Sequence, residues 1–390
     1  MENKLSLKKI NLKEYGMVIA LVAIFLLFSI LTGGTNATPA NINNLIMQNG
    51  YIIILSVGML LCVLTGNIDL AVGSVVALCG ATGAIAVVDM HLPVFVGFIL
   101  AIVVGICFGL FTGFFVAFLK IPPFTVTLAT MLIGRGLTYT VLKAQTKGPL
   151  PPSYTAIGVS FIPSPIVKIA GAKVNLLCII VAILVTVILF LAMHHKRVQQ
   201  AKYGFENDPL IKDVLKQCVT AFFVWFVAVK LSLWKGIPAQ LILVGIIVAC
   251  YSFLTERTVP GRQIYALGGN QKAARLSGIN TKKVFFWVYA NMSIMAALAG
   301  IVLSARNGSA TPKAGDGFEM DAIASCYIGG AAISGGSGSI IGAVVGALVM
   351  GVLNNGMSLV GLSTDIQKIV KGLVLLGAVT ADLLSKQKKN

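Results

Sequence analysis

Long apolar runs broken by short polar pieces repeat along this chain from end to end. Runs near 15–32, 45–65, 69–88, 94–119, 124–142, 174–193, 217–234, 238–254, 284–304, 320–334, 338–356 and 366–384 approach the roughly 20 apolar residues an α-helix needs to cross a bilayer. In lipid every backbone N–H and C=O must be paired within the segment. The pattern therefore predicts an all-α polytopic membrane protein with about ten to twelve transmembrane helices. The runs at 320–334 and 338–356 are short or interrupted by glycine, and read either as full crossings or as short re-entrant helices.

Composition agrees: 57% of residues are hydrophobic and 11% charged, against about 45–50% and 25% in soluble domains. The formal net charge of +17 does not point to nucleic acid, because no basic stripe is interleaved with aromatics. Most of the 30 lysines and arginines fall in alternate polar pieces: the amino-terminal segment, Lys120, the 194–216 and 255–283 loops, and the last few residues. By the positive-inside rule these pieces face the cytoplasm, both termini included. The expected division is a cytoplasmic segment over 1–14, one transmembrane domain over 15–384, and a cytoplasmic tail over 385–390. All seven cysteines lie in or beside apolar runs without metal-ligand spacing, and read as packing residues. No metal or cofactor is expected.

Small residues recur every fourth position at Gly97, Ala101, Gly105, Gly109, Gly113 and Ala117, and again at Gly330, Ser334, Gly338, Gly342 and Gly346. Such ridges let helices approach backbone to backbone. Packing inside the chain is the first reading and a dimer seam the second. Polar residues inside apolar runs line a cavity or mark a break. Asn67 and Asp69 interrupt one boundary, Asn354 and Asn355 another, and Phe124 offers an aromatic face. Each reads either as a structural cap or interhelical bond, or as a contact for a polar solute. Arg135, Lys368 and Lys371 read as side chains snorkelling to an interface.

Chemistry is absent. There is no nucleotide-binding G-x-x-x-x-G-K-[ST] loop, no H-E-x-x-H and no nucleophile elbow, so no catalytic residue is assigned.

The polar stretch from Thr255 to Lys283 carries Arg257, Arg262, Lys272, Arg275, Lys282 and Lys283 against the single acid Glu256. Within it Ala273, Ala274 and Gly278 make the pattern A-A-x-x-x-G, a short helix with a small face and a glycine stop. Together with NIDLAVGS at Asn67, KIPPFTVTLATMLIGRGL at Lys120, FEMDAIASCYIGG at Phe318 and IIGAVVGALVMGVLNNGMSLVG at Ile340, this stretch resembles the membrane permeases of bacterial ABC monosaccharide importers. The extra segment between Met193 and Ile237 is similar to the xylose and multiple-monosaccharide branch. The resemblance implies that Gln271, Lys272, Ala273, Ala274, Arg275 and Gly278 dock an ABC ATPase subunit. It also implies an extracytoplasmic sugar-binding protein, a permease homodimer and a place in the bacterial inner membrane. Gln271-Lys272 stands where such permeases carry Pro-Glu, and Asp365-Ile366 where they carry an aromatic before Gln367. An ion-driven carrier using Asp69 or Asp321 is the rival class, and an ABC permease for branched-chain amino acids the rival cargo.

Overall fold

The structure is a computed structural model that describes residues 12–169, 171–204 and 210–387. Most of the segments expected over 1–14 and 385–390 lie outside the described residues. The described residues are overwhelmingly helical, and seven of the helices are long and apolar enough to cross a membrane. Contacts divide the chain into two compact units. The larger draws on Met1–Asn36, Met47–Val159 and Gln240–Asn390, and the smaller on Ala37–Ile46 and Ser160–Ala239.

In the larger unit, α2 (Pro39–Leu64) and α12 (Thr281–Asn307) supply most of the core. The α2 run Ile54, Leu55, Val57, Met59 and Leu60 is fully buried, as are Tyr289, Met292 and Ala296 of α12. A helix apolar all round belongs inside a bundle. Around α12 stand α3 (Val72–Val88), α4 (Val94–Ala117) and the short α6 (Pro152–Val159), with α5 (Pro123–Val141) against α3. The first small-residue ridge explains the closeness of α4. A Cβ on Gly105 would stand 2.6 Å from Cβ of Ala297, and one on Gly109 2.8 Å from Cα of Ala290. That ridge packs within the chain.

The second ridge is only partly a ridge. Gly342 and Gly346 lie on α14 (Ile340–Leu359) and press against the backbone of Ser325 on α13 (Phe318–Ile328) and of Gly329 at its C-terminal end. Gly330, Ser334 and Gly338 lie instead in the loop between those helices. Gly330 and Gly338 have φ of +83° and +152°, a region closed to most side chains, which ends the helical run. The 320–334 run is therefore an 11-residue helix, about half a crossing at 1.5 Å per residue, whereas the 338–356 run is a full-length one. Helix α1 (Leu12–Leu31) packs on α14, and α15 (Thr364–Gln387) on α13. The unit is completed by α9 (Ala239–Arg257), α10 (Val259–Gly269) and α11 (Gln271–Leu276).

The smaller unit contains α7 (Leu176–Lys202) and α8 (Leu210–Ser232) packed side by side, preceded by an antiparallel hairpin of β1 (Ile166–Ile169) and β2 (Ala172–Asn175). The expected 194–216 loop is mostly helix. Its residues Lys196 to Lys202 include Arg, Gln, Ala and Lys, strong helix formers that extend α7 beyond its apolar part. The hairpin and α6 lie between the apolar runs near 124–142 and 174–193, where the apolar pattern carries no sign of them.

Candidate functional site

The polar segment after α9 folds as two short helices rather than a loop. Thr258 starts α10, its hydroxyl accepting from the N–H of Gly261 at 3.3 Å. Asn270 ends α10 and caps α11, its side-chain oxygen accepting from the N–H of Ala273 at 3.0 Å. At the far end the N–H of Gly278 donates to Arg275 and that of Ile279 to Ala274, both at 3.1 Å, with Gly278 at φ +85°. This paired closure with a left-handed glycine is a Schellman stop. Asn280 then caps α12 by accepting from the N–H of Lys283. Both ends of α11 are thus fixed by side-chain or backbone caps.

What α11 presents follows from that framing. Ala274 is buried, while Gln271, Lys272, Ala273, Arg275 and Gly278 are exposed. Leu276, which the sequence did not single out, is 90% exposed at the end of the helix. The result is a stiff projecting turn with a basic face and an uncovered leucine.

Its base is tied to two interruptions of the bundle. The hydroxyl of Tyr265 on α10 donates to the carbonyl of Gly338 at 2.8 Å. Gly268 lies so close to the end of α2 that a Cβ there would stand 1.7 Å from the Leu64 carbonyl oxygen and 2.6 Å from the N–H nitrogen of Gly336. That same Leu64 carbonyl accepts from Gly336 at 2.9 Å. The turn between α2 and α3 and the loop between α13 and α14 therefore meet at α10.

The candidate pathway residues do not form one cluster. Asn67 is spent locally, its amide donating to the backbone and hydroxyl oxygens of Thr65. Buried Asp69 accepts from the N–H of Ala71 at 2.8 Å, which orders the start of α3. Phe124 is 57% exposed, on a helix that packs against α3 and α4 rather than α14. Asn355 donates to Gln48 of α2 at 3.2 Å, and Asn354 to Asp321 at 3.3 Å.

Two basic residues read as snorkelling do something else. Lys371 forms an ion pair with buried Asp321 at 3.0 Å, because α15 packs on α13 and brings the ammonium inward. Arg135 donates to the carbonyls of Pro312 and Ala314 at 2.8 and 2.7 Å, which ties α5 to the loop after α12. Lys368 pairs with Asp316 at an exposed site.

The sequence has close relatives. A family described as "Branched-chain amino acid transport system / permease component" matches residues 41–204 and 190–379. The "Xylose transport system permease protein XylH" of Haemophilus influenzae is 37% identical over 382 residues, covering 98% of this chain and 99% of the relative. The XylH of Escherichia coli K12 is also 37% identical, covering 98% and 94%. The "Ribose import permease protein RbsC" of E. coli K12 is 34% identical over 372 residues, covering 95% and 94%. No solved structure matches the chain. Helices long enough to span a membrane, the wide family match and relatives along almost the whole length agree: the chain belongs to this family of membrane-spanning transport-system permeases.

Proposed function

We propose that this chain is the membrane subunit of an ATP-driven importer of neutral monosaccharides in the bacterial inner membrane. An extracytoplasmic binding protein delivers the sugar, and a separate ABC ATPase subunit docks on α11. The xylose and ribose permeases among its relatives support the cargo class. Two copies of the chain would form the path. The charge pattern supports cytoplasmic termini and a cytoplasmic α10–α11 pair, since the basic residues concentrate in those pieces.

One observation carries the mechanism: the base of α11 touches both helix interruptions, through Tyr265 to Gly338 and through Gly268 to Leu64. Closure of the ATPases would push on α11, whose caps stop it from fraying. The push would pass through α10 into the α2–α3 and α13–α14 breaks. Packed helices respond to such a push by switching between discrete arrangements rather than by bending smoothly, so the path opens alternately to each side.

The ion-driven alternative has no comparable support. It needs a carboxylate ready for a cation, and Asp321 instead holds the ammonium of Lys371. Copurification from native membranes tests the proposal. An ATPase subunit should come down with the wild-type chain and be lost when the Ala273–Gly278 turn is altered. A chain that retains the same ATPase with that turn altered would refute the docking site.

A further inference from the structure

Helices α13, α14 and α15 bring one acid, one amide and one ammonium together inside the larger unit. The ammonium of Lys371 donates to Oδ2 of Asp321 at 3.0 Å, and the amide of Asn354 donates to the same oxygen at 3.3 Å. Both donors therefore converge on one carboxylate oxygen. The other oxygen, Oδ1 of Asp321, is buried and has no hydrogen-bond partner among the described residues, and the same is true of Oδ1 of Asn354. The Asp321 side chain is only 3% exposed. Two buried acceptors without donors are costly to maintain for packing alone.

The surroundings specify what would complete them. Lys371 has three N–H donors, and its side chain is 24% exposed, so the ammonium side of the cluster is not sealed, whereas the two acceptor oxygens are buried. Phe318 lies one turn before Asp321 on α13, and its ring stacks on Tyr51 of α2 with centroids 4.9 Å apart. The ion pair is internally neutral. A cation would be opposed by Lys371 and an anion by Asp321, so a neutral ligand is favoured over either. A sugar supplies hydroxyl donors for the two acceptors, oxygens for the ammonium, and C–H faces for nearby aromatic edges.

We infer that Asp321, Asn354 and Lys371 form a hydroxyl-binding station for the neutral polyhydroxylated solute this permease moves. The inference rests on the sugar-importer reading and adds a place where the solute is held. Asn67 and Asp69 are bonded within their own turn and show no buried acceptor without a partner among the described residues.

The test uses the full-length permease with its ATPase and binding protein in proteoliposomes, with a panel of labelled pentoses and hexoses including D-xylose and D-ribose. Asn354→Ala leaves the Asp321–Lys371 pair in place and removes one acceptor together with the amide donor to Asp321. Sugar moved per ATP hydrolysed should fall about tenfold, the worth of one hydrogen bond to a charged or buried group. The exchange of Asp321→Lys with Lys371→Asp preserves an ion pair but relocates the acceptors, and should show a similar fall. A wild-type ratio in Asn354→Ala, or full recovery of transport by the exchange, would make the cluster a structural ion pair and overturn the station. Should the exchanged protein fail to insert, Asn354→Ala still decides. A wild-type complex that moves none of the sugars with ATP would sink the importer reading and the station with it, a result separable from a loss confined to the variants.

Discussion

The hydroxyl of Tyr265 and the carbonyl of Gly338, 2.8 Å apart, join the base of α11 to the loop between α13 and α14. The partners are 73 residues apart in sequence, so this bond links two elements that local folding alone would not bring together. It is also half of a junction. The other half is the Leu64 carbonyl at the end of α2, which accepts from Gly336 and lies against Gly268. Replacing Tyr265 by Phe keeps the ring and deletes the bond. We expect a stability loss of about 1 kcal/mol, read as a lower thermal unfolding midpoint in detergent. An unchanged midpoint would mean the bond is not maintained in the membrane protein.

Gly278→Arg separates folding from docking. A side chain at φ +85° is strained, roughly 1–2 kcal/mol, but a Cβ there meets nothing within 4 Å. The variant should therefore reach the membrane in near-normal amounts and fail in ATP-driven uptake. Gly278→Asn, which tolerates the left-handed region, should retain more uptake. Normal uptake by the arginine variant would exclude this turn as the docking element.

Arg135→Ala should release the loop after α12. Its guanidinium holds two carbonyls on either side of Lys313, and no other side chain among the described residues is seen to hold those carbonyls. Limited trypsin digestion should cut after Lys313 faster in the variant than in the wild type. Equal rates would show that the loop is held by other means.

Gly105→Val tests the α4 ridge. Its Cβ would stand 2.6 Å from Cβ of Ala297 and 2.8 Å from the Ser293 carbonyl oxygen. Overpacking of this kind costs about 1–3 kcal/mol, so the monodisperse yield after solubilisation should fall. Gly136→Ala, whose Cβ meets nothing within 4 Å, is the control and should be near neutral.

Much of the fold was legible because lipid imposes a length and an apolar composition on each crossing. The α4 ridge was legible for the same reason, since glycine every fourth residue has few other uses in a long apolar helix. What failed was anything set by tertiary pairing. Lys371 looks like a snorkelling residue in sequence, and only the packing of α15 on α13 reveals its acid. Gly330, Ser334 and Gly338 keep the spacing of a ridge, yet positive φ at the two glycines puts all three in a loop. Asn67 and Asp69 stood out as intramembrane polar residues, and that signal does not distinguish a turn-forming bond from a solute contact. Tyr265, Gly268 and Leu276 were missed altogether. An aromatic, a glycine and a leucine in a polar stretch carry no periodic signature, although the basic segment that holds them stands out in the sequence.

If force enters at α11 and passes through α10 to both helix breaks, Gly268→Ala should uncouple the ATPase from the path. A methyl group at that position would stand 1.7 Å from the Leu64 carbonyl oxygen and 2.6 Å from the Gly336 nitrogen, so α10 must move off the junction while α11 keeps its own caps. ATP hydrolysis and sugar accumulation should be measured together in proteoliposomes containing the full complex. The ATPase should still bind, and sugar accumulated per ATP should fall by roughly tenfold, within the usual range of a coupling free energy. A wild-type ratio in a correctly inserted Gly268→Ala chain would contradict this route for the force.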